Sequence, residues 1–297
     1  TALVLLVLGP LGVAASGDPH ETAAGGAATP ATVALAAVCG THLLLPGRYL
    51  LTADVGPCPG DGIVIDGPAI NLDLGGHTVT GGATGLGGGL VLAPTAVGSR
   101  VANGMVERFG TGVEDHASAS VVTGIRAFSN LGIGIFVDGA RGVRVSGSWA
   151  NENGRFGYYL QAADRTLLAH DQAEFNGIYG LWLQGSSHNV VRASGFTDNA
   201  TATPDGGGIY LGCSNHGVDP SATCAGTGSD GNRVAGNTAS ENRGFGIAID
   251  LGNRGNRVVA NTARVNRGTD LVDANPGCGT NHWVHNSFGS RSQPCIQ

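Results

Sequence analysis

Asn130-Leu-Gly-Ile-Gly134-Ile-Phe-Val-Asp138 is echoed by Asn153-Gly-Arg-Phe-Gly157-Tyr-Tyr-Leu-Gln161 and Asn176-Gly-Ile-Tyr-Gly180-Leu-Trp-Leu-Gln184, each copy 23 residues after the last. Every copy places an asparagine four residues ahead of a glycine, and the residues after that glycine alternate in character. Alternation with a period of two marks a strand. Outward from this stretch, the glycine-led segment recurs at Gly62, Gly89, Gly112, Gly208 and Gly246. A fixed period of this size is the mark of a solenoid, whose single turns cannot bury their own apolar faces.

About 23 residues hold three short strands, the amount of chain that fills one coil of a parallel β-helix stacked at about 4.8 Å per coil. The expected fold is therefore all-β: a single-stranded parallel solenoid of about eight to ten coils, with capped ends. The first and third residues after each glycine, such as Ile135 and Val137 or Leu181 and Leu183, should point inward. The second and fourth should point out. The second reads Phe136, Tyr159, Trp182 and Tyr210; the fourth reads His116, Asp138, Gln161 and Gln184. The asparagine column at Asn130, Asn153, Asn176 and Asn242, with Asn199 and Asn266 at irregular bends, reads as a hydrogen-bonded ladder along the stack.

The chain has 52 glycines in 297 residues and a net charge of −6. All 16 of its Lys and Arg residues are arginines. The charge argues against nucleic acid as a partner. Residues 1–15 are almost wholly apolar and read as a signal-peptide core that is N-terminally incomplete and too short to span a bilayer. Residues 16–37 read as a disordered Ala/Gly/Pro linker, and 38–297 as the solenoid. Cleavage of the leader would leave no membrane span. The expected location is secreted, extracellular or in the cell envelope.

The 6 cysteines agree with an oxidising compartment and fall into local couples: Cys39 with Cys58, Cys213 with Cys224, Cys278 with Cys295. In a rod, only near neighbours in sequence meet, which favours these pairings. Zinc is the rival use, but no couple has the CxxC form.

The block Val38-Cys-Gly-Thr, Cys58-Pro-Gly-Asp-Gly-Ile-Val-Ile65 and Asn71-Leu-Asp-Leu-Gly-Gly-His-Thr-Val79, with the closing Asn275-Pro-Gly-Cys-Gly-Thr-Asn-His-Trp283, resembles the right-handed parallel β-helix repeat family of the pectin-lyase-like superfold. The likeness extends to its secreted actinobacterial and archaeal members. It implies a right-handed coil and leaves activity open, because the family includes lyases, hydrolases and members with no assigned reaction. The paired aspartates of polygalacturonases are absent, and Asn215-His-Gly217 is a faint echo of their His-Gly motif. Pectate lyases use a basic residue and calcium held by aspartates. No aspartate cluster recurs on neighbouring coils here, so no cofactor is expected and calcium lacks support; with no lysine, the base of such a reaction would be an arginine such as Arg155.

An aromatic stripe beside acids and amides suits a polysaccharide or envelope glycan: ring faces stack on pyranoses while polar groups bond hydroxyls. The binding candidates are Phe136, Tyr159, Trp182, Tyr210, Asp138, Gln161 and Gln184; a purely stabilising aromatic ladder is the competing use. Insertions on both sides of the Tyr210 strand bring in Asp205, His216 and Asp219. Glu114-Asp115-His116 is the densest titratable run, although Asp115 falls at an inward position, where an unpaired carboxylate is costly. These six are the catalytic candidates. The expected function is binding or processing of polysaccharide, by hydrolysis or elimination if there is a reaction, in a monomer. A non-enzymatic extracellular or envelope rod is the alternative.

Overall fold

The structure is a computed structural model that describes residues 31–213 and 227–297. Its glycine-led strands stack in order as one 10-stranded sheet, from Thr41–Leu43 to Leu271–Asp273, one strand per coil. A 16-stranded sheet covers the other faces, because Arg100–Glu107 and Val121–Phe128 run across a bend and join its two halves. Every neighbouring pair along the glycine-led sheet is parallel and in register, as with Ile135↔Tyr158↔Leu181↔Ile209↔Ile247. The fold is the expected parallel β-helix of about ten coils.

The inward phase is as the alternation requires. Ile135, Val137, Leu181, Leu183, Ile209, Leu211, Ile247 and Ile249 are all buried. They meet an aliphatic column of the second sheet that includes Val145, Leu168, Val191 and Val234. Neither sheet could hide these side chains alone, and the shared core is what holds successive coils in register.

The Asn-x-x-x-Gly spacing has a steric cause. Each ladder asparagine lies over the glycine of the preceding coil: a Cβ on Gly157 would sit 2.8 Å from Asn176 Nδ2 and 2.7 Å from the Gly180 carbonyl oxygen. The ladder is continuous from Asn130 through Asn153, Asn176, Asn199 and Asn242 to Asn266, each backbone N–H donating to the next amide oxygen at 2.9–3.1 Å. It ends on Asp270, which accepts from Asn266 Nδ2 at 2.8 Å. Burial works to raise the Asp270 pKa, but bonds from Asn266, Gly289 and Ser290 outweigh it and hold the carboxylate ionised below its usual range.

Further ladders, two of them long, were not anticipated. One descends through Asn189, Asn232, Asn256 and Asn281. The other passes through Ser148, Asp171, Ser194, Asn237, Asn261 and Asn286.

The expected linker over 16–37 is too long. Thr32–Leu35 is a strand paired with Gly47–Leu51, because its backbone completes the hydrogen bonds of the first coil edge and Leu35 covers the core. At the other end Trp283 takes the place of the column's valines, buries all but 3% of itself and donates to Asp273 Oδ2 at 2.8 Å. Cys39–Cys58 and Cys278–Cys295 are bonded, with Cα separations of 5.3 and 6.1 Å. The proposed leader at 1–15, and Cys224 of the third couple, lie outside the described residues. Among the described residues no helix is long and apolar enough to cross a membrane.

Candidate functional site

The outer side of the glycine-led sheet carries the candidate residues in register. Glu114, Phe136, Tyr159, Trp182 and Tyr210 form one column, and Asp138, Gln161, Gln184 and Gly212 run beside it. The period of two thus delivers them to one surface.

The aromatic column differs from an open sugar-stacking stripe. Phe136 stacks on Tyr159 with centroids 4.9 Å apart and planes at 9°, and Tyr159 stacks on Trp182 at 4.9 Å and 22°. A second column, Phe156, Tyr179 and Phe245, packs alongside: Phe156 lies 5.1 Å from Trp182 and Tyr179 lies 5.0 Å from Tyr210. Flat rings one coil apart fall naturally into stacking distance, so they cover each other's faces. Tyr159 is only 8% exposed, while Phe136, Trp182 and Tyr210 are half-buried. The faces needed for pyranose stacking are taken by neighbouring rings; the ring edges and hydroxyls remain at the surface.

Those edges are polar. The Tyr159 hydroxyl donates to Gln161 Oε1 at 2.6 Å and also contacts Gln184 Oε1. The Tyr210 hydroxyl donates to Asp250 Oδ2 at 2.9 Å. Burial, reinforced by Asp138 and partly offset by Arg155, pushes the Tyr159 pKa up to about 12. Burial with Asp250 and Asp205 does the same for Tyr179, to about 12. Both phenols stay protonated as donors near neutrality. The rings leave no room for a side chain at Gly212: a Cβ there would come within 3.0 Å of the Tyr210 ring and 3.2 Å of Trp182 Nε1.

Two coils towards the N-terminus of the chain the surface becomes titratable. His116 Nε2 lies 2.9 Å from Glu114 Oε1, and its Nδ1 lies 3.6 Å from Asp138 Oδ2 on the next coil. Its ring meets Phe136 edge-on with centroids 6.3 Å apart. The side chains of Glu114, His116 and Asp138 are 32%, 26% and 31% exposed, open to a ligand but held by their neighbours. An imidazole between two carboxylates can accept a proton and share it.

Asp115 does not belong to this surface. It points into the core and is fully buried, accepting from Ala117 N at 2.9 Å and Ser120 Oγ at 2.6 Å. Burial pushes its pKa up to about 6 against those bonds. It closes the turn after its strand, as Asp273 does in the same column with Asn275 N at 2.9 Å. The catalytic candidates His216 and Asp219 lie outside the described residues. Among the described residues no group of three or more His, Cys, Asp and Glu side chains is arranged to hold a metal ion.

Parallel strands stacked coil upon coil around one apolar core define the β-helix class. The family described as "Right handed beta helix region" matches residues 60–221, more than half of the chain, and the chain belongs to it. Among solved structures it is similar to the Dettilon tailspike protein (gp208), at 17% identity and a TM-score of 0.65 over 88% of this chain and 53% of the tailspike. The chain thus spans about half the length of that protein. It is also similar to the A-module of the Azotobacter vinelandii mannuronan C-5 epimerase AlgE6 (14% identity, TM-score 0.52, 88% of this chain and 84% of the module). A third likeness is to pectate lyase Pel9A (15% identity, TM-score 0.52, 89% of this chain and 68% of the lyase). At these identities the likeness is one of fold. Comparison with curated protein sequences finds no match.

Proposed function

We propose that the outer face of the glycine-led sheet binds a polysaccharide and that His116, bracketed by Glu114 and Asp138, moves protons on the bound chain. The observation that carries this reading is the imidazole between two carboxylates, 2.9 and 3.6 Å away, at the end of the Phe136–Tyr159–Trp182 stack. Gln161, Gln184, Tyr159 and Tyr210 supply amides and hydroxyls along the same line, the chemistry that sugar hydroxyls require. The names of the solved relatives, a mannuronan epimerase and a pectate lyase, support polysaccharide as the ligand class for this fold.

Charge narrows the ligand. Glu114, Asp138 and Asp250 lie on this face, and Arg155, 5.0 Å over the Phe156 ring, is the cation beside the stack. Such a surface repels a polyuronate and suits a neutral, hydroxyl-rich chain. Hydrolysis is then the fitting reaction: His116 accepts a proton from the attacking water, and that proton, shared between the imidazole and its flanking carboxylates, passes on to the leaving oxygen. Export is proposed with it, on the strength of Cys39–Cys58 and Cys278–Cys295.

The test is affinity electrophoresis through gels of a neutral β-glucan, a mannan and a polyuronate, with product analysis by reducing-end release. A neutral glycan should retard the protein, and Gln161→Ala should weaken that retardation about fivefold, as loss of one hydrogen bond predicts. His116→Ala should keep the retardation and lower product release by about 10²–10⁴. If no neutral glycan retards a natively folded sample, the reading fails. If His116→Ala releases as much product as the wild type, the assigned proton carrier is wrong.

A further inference from the structure

Another face of the rod is strongly cationic in a chain whose net charge is −6. Arg48, Arg100, Arg144, Arg233 and Arg257 occupy one outward column of the second sheet, carried through successive strand pairs. Arg192 stands in the adjacent column, on a coil where the first column carries valine. All are exposed except Arg100, which is half-buried.

Their partners inside the protein are few. Among the described residues the ion pairs of arginine are those of Arg141 and Arg165 with Asp164, and the six column arginines make none. The acid in these two columns is Asp73, already held by Gly75 N at 2.9 Å and Asn103 Nδ2 at 3.1 Å. Arg233 and Arg257 stand directly opposite each other on neighbouring strands, an arrangement that destabilises a sheet. A line of unpaired guanidinium groups costs stability in the free protein and creates a positive field along the rod.

We propose that this arginine column is a binding strip for an acidic polysaccharide, whose carboxylate or sulfate groups run along the rod axis. Guanidinium forks match both groups. Arg48 and Arg100 are two coils apart, about 9.6 Å at about 4.8 Å per coil, so one extended polyanion meets several of them at once. The positions between the arginines include Val121, Leu167 and Val190, and the two columns hold no Phe, Tyr or Trp, only His282 at the end beyond Arg257. Nucleic-acid bases would find no stacking platform there, whereas a polymer read by its charges needs none. This strip is separate from the His116 face. It would anchor the protein on an anionic matrix while that face meets a neutral chain.

The experiment uses the full chain on immobilised polygalacturonate and on dextran sulfate, with single-stranded DNA and anionic phospholipid vesicles as competing probes. The wild type should be retained at low salt and released as salt screens the charges. Combining Arg144→Ser, Arg233→Ser and Arg257→Ser should weaken retention at least tenfold without lowering the thermal midpoint, since the change removes repulsion. The matching three-lysine variant should keep most of the retention. Gln161→Ala should bind these polyanions as the wild type does, which separates the strip from the neutral-glycan face. Failure of the wild type to bind either acidic polymer overturns the proposal. So does equal binding by the three-serine variant, or tighter arginine-dependent binding of DNA or vesicles than of the polysaccharides.

Discussion

Asn176→Ala should cost about 4 kcal/mol of stability, the largest loss expected from any single change considered for this protein. Asn176 is fully buried. Its amide oxygen accepts from both the backbone and side-chain nitrogens of Asn153 at 3.0 Å. Its amide nitrogen donates to the Ala150 carbonyl at 2.8 Å and to Asn199 Oδ1 at 2.9 Å. Alanine leaves two donors and one carbonyl without partners inside the stack, and each orphan costs about 1–3 kcal/mol. Because the coils stack in one dimension, the damage should also uncouple the two halves and broaden the unfolding transition. Urea denaturation followed by circular dichroism reads both effects. A loss below about 1 kcal/mol, as for an ordinary exposed substitution, would mean the rungs are not what joins the coils.

The same rung explains why much of the fold was legible in the sequence. Asn176 is held by its ladder bonds and leaves no room for a Cβ on Gly157, so the pair repeats at a fixed offset wherever a coil is regular. The strand phase was legible for a similar reason, since each glycine sets which residues turn into the core. One ladder escaped notice because its upstream rungs are Ser148, Asp171 and Ser194, which perform the asparagine's task with other side chains; the other is preceded by Thr166, which joins it through its backbone N–H alone. The arginine column escaped because it lies on the second strand of each coil and is interrupted by Asn71, Val121, Leu167 and Val190.

The site was half legible. Alternation gave the column of Phe136, Tyr159, Trp182 and Tyr210. It could not give the neighbouring column, since Phe156, Tyr179 and Phe245 are interrupted by Gly207, over which the Phe245 ring lies. That second column is what turns an exposed stripe into a packed cluster. Nor does adjacency in sequence reveal partnership: in Glu114-Asp115-His116 the middle residue faces the core, and the second carboxylate of the cluster, Asp138, arrives from the next coil.

Asp171→Asn should stabilise the protein at alkaline pH and leave it nearly unchanged at acidic pH. Asp171 stands where Asn237, Asn261 and Asn286 stand in later coils, and those amides donate to the carbonyls of Val191, Val234 and Val258 at 2.9–3.0 Å. By the same register the second oxygen of Asp171 faces the Val145 carbonyl. Asp171 Oδ1 accepts from Ser148 N at 2.9 Å, but Oδ2 is buried and without a partner. A carboxylate there sets lone pairs against lone pairs, whereas a protonated carboxyl completes the rung. Burial accordingly pushes the pKa from 3.8 up to about 7, against bonds from Ser148 and Ala169. The folded state therefore holds a proton that the unfolded chain gives up, and the wild type loses stability as pH rises from about 4 to about 7. A shift of about three units at about 1.36 kcal/mol per unit bounds the loss at about 4 kcal/mol. The asparagine variant carries a permanent donor at this rung, so it should exceed the wild type by about 2–4 kcal/mol at pH 8 and by little at pH 4. Asp115, raised to about 6 by burial, titrates in the same sense and should leave the variant a shallower slope of its own. Urea midpoints at pH 4 and pH 8 decide the matter. An equal difference at both, or a less stable variant at pH 8, would show that Asp171 is ionised in the folded ladder.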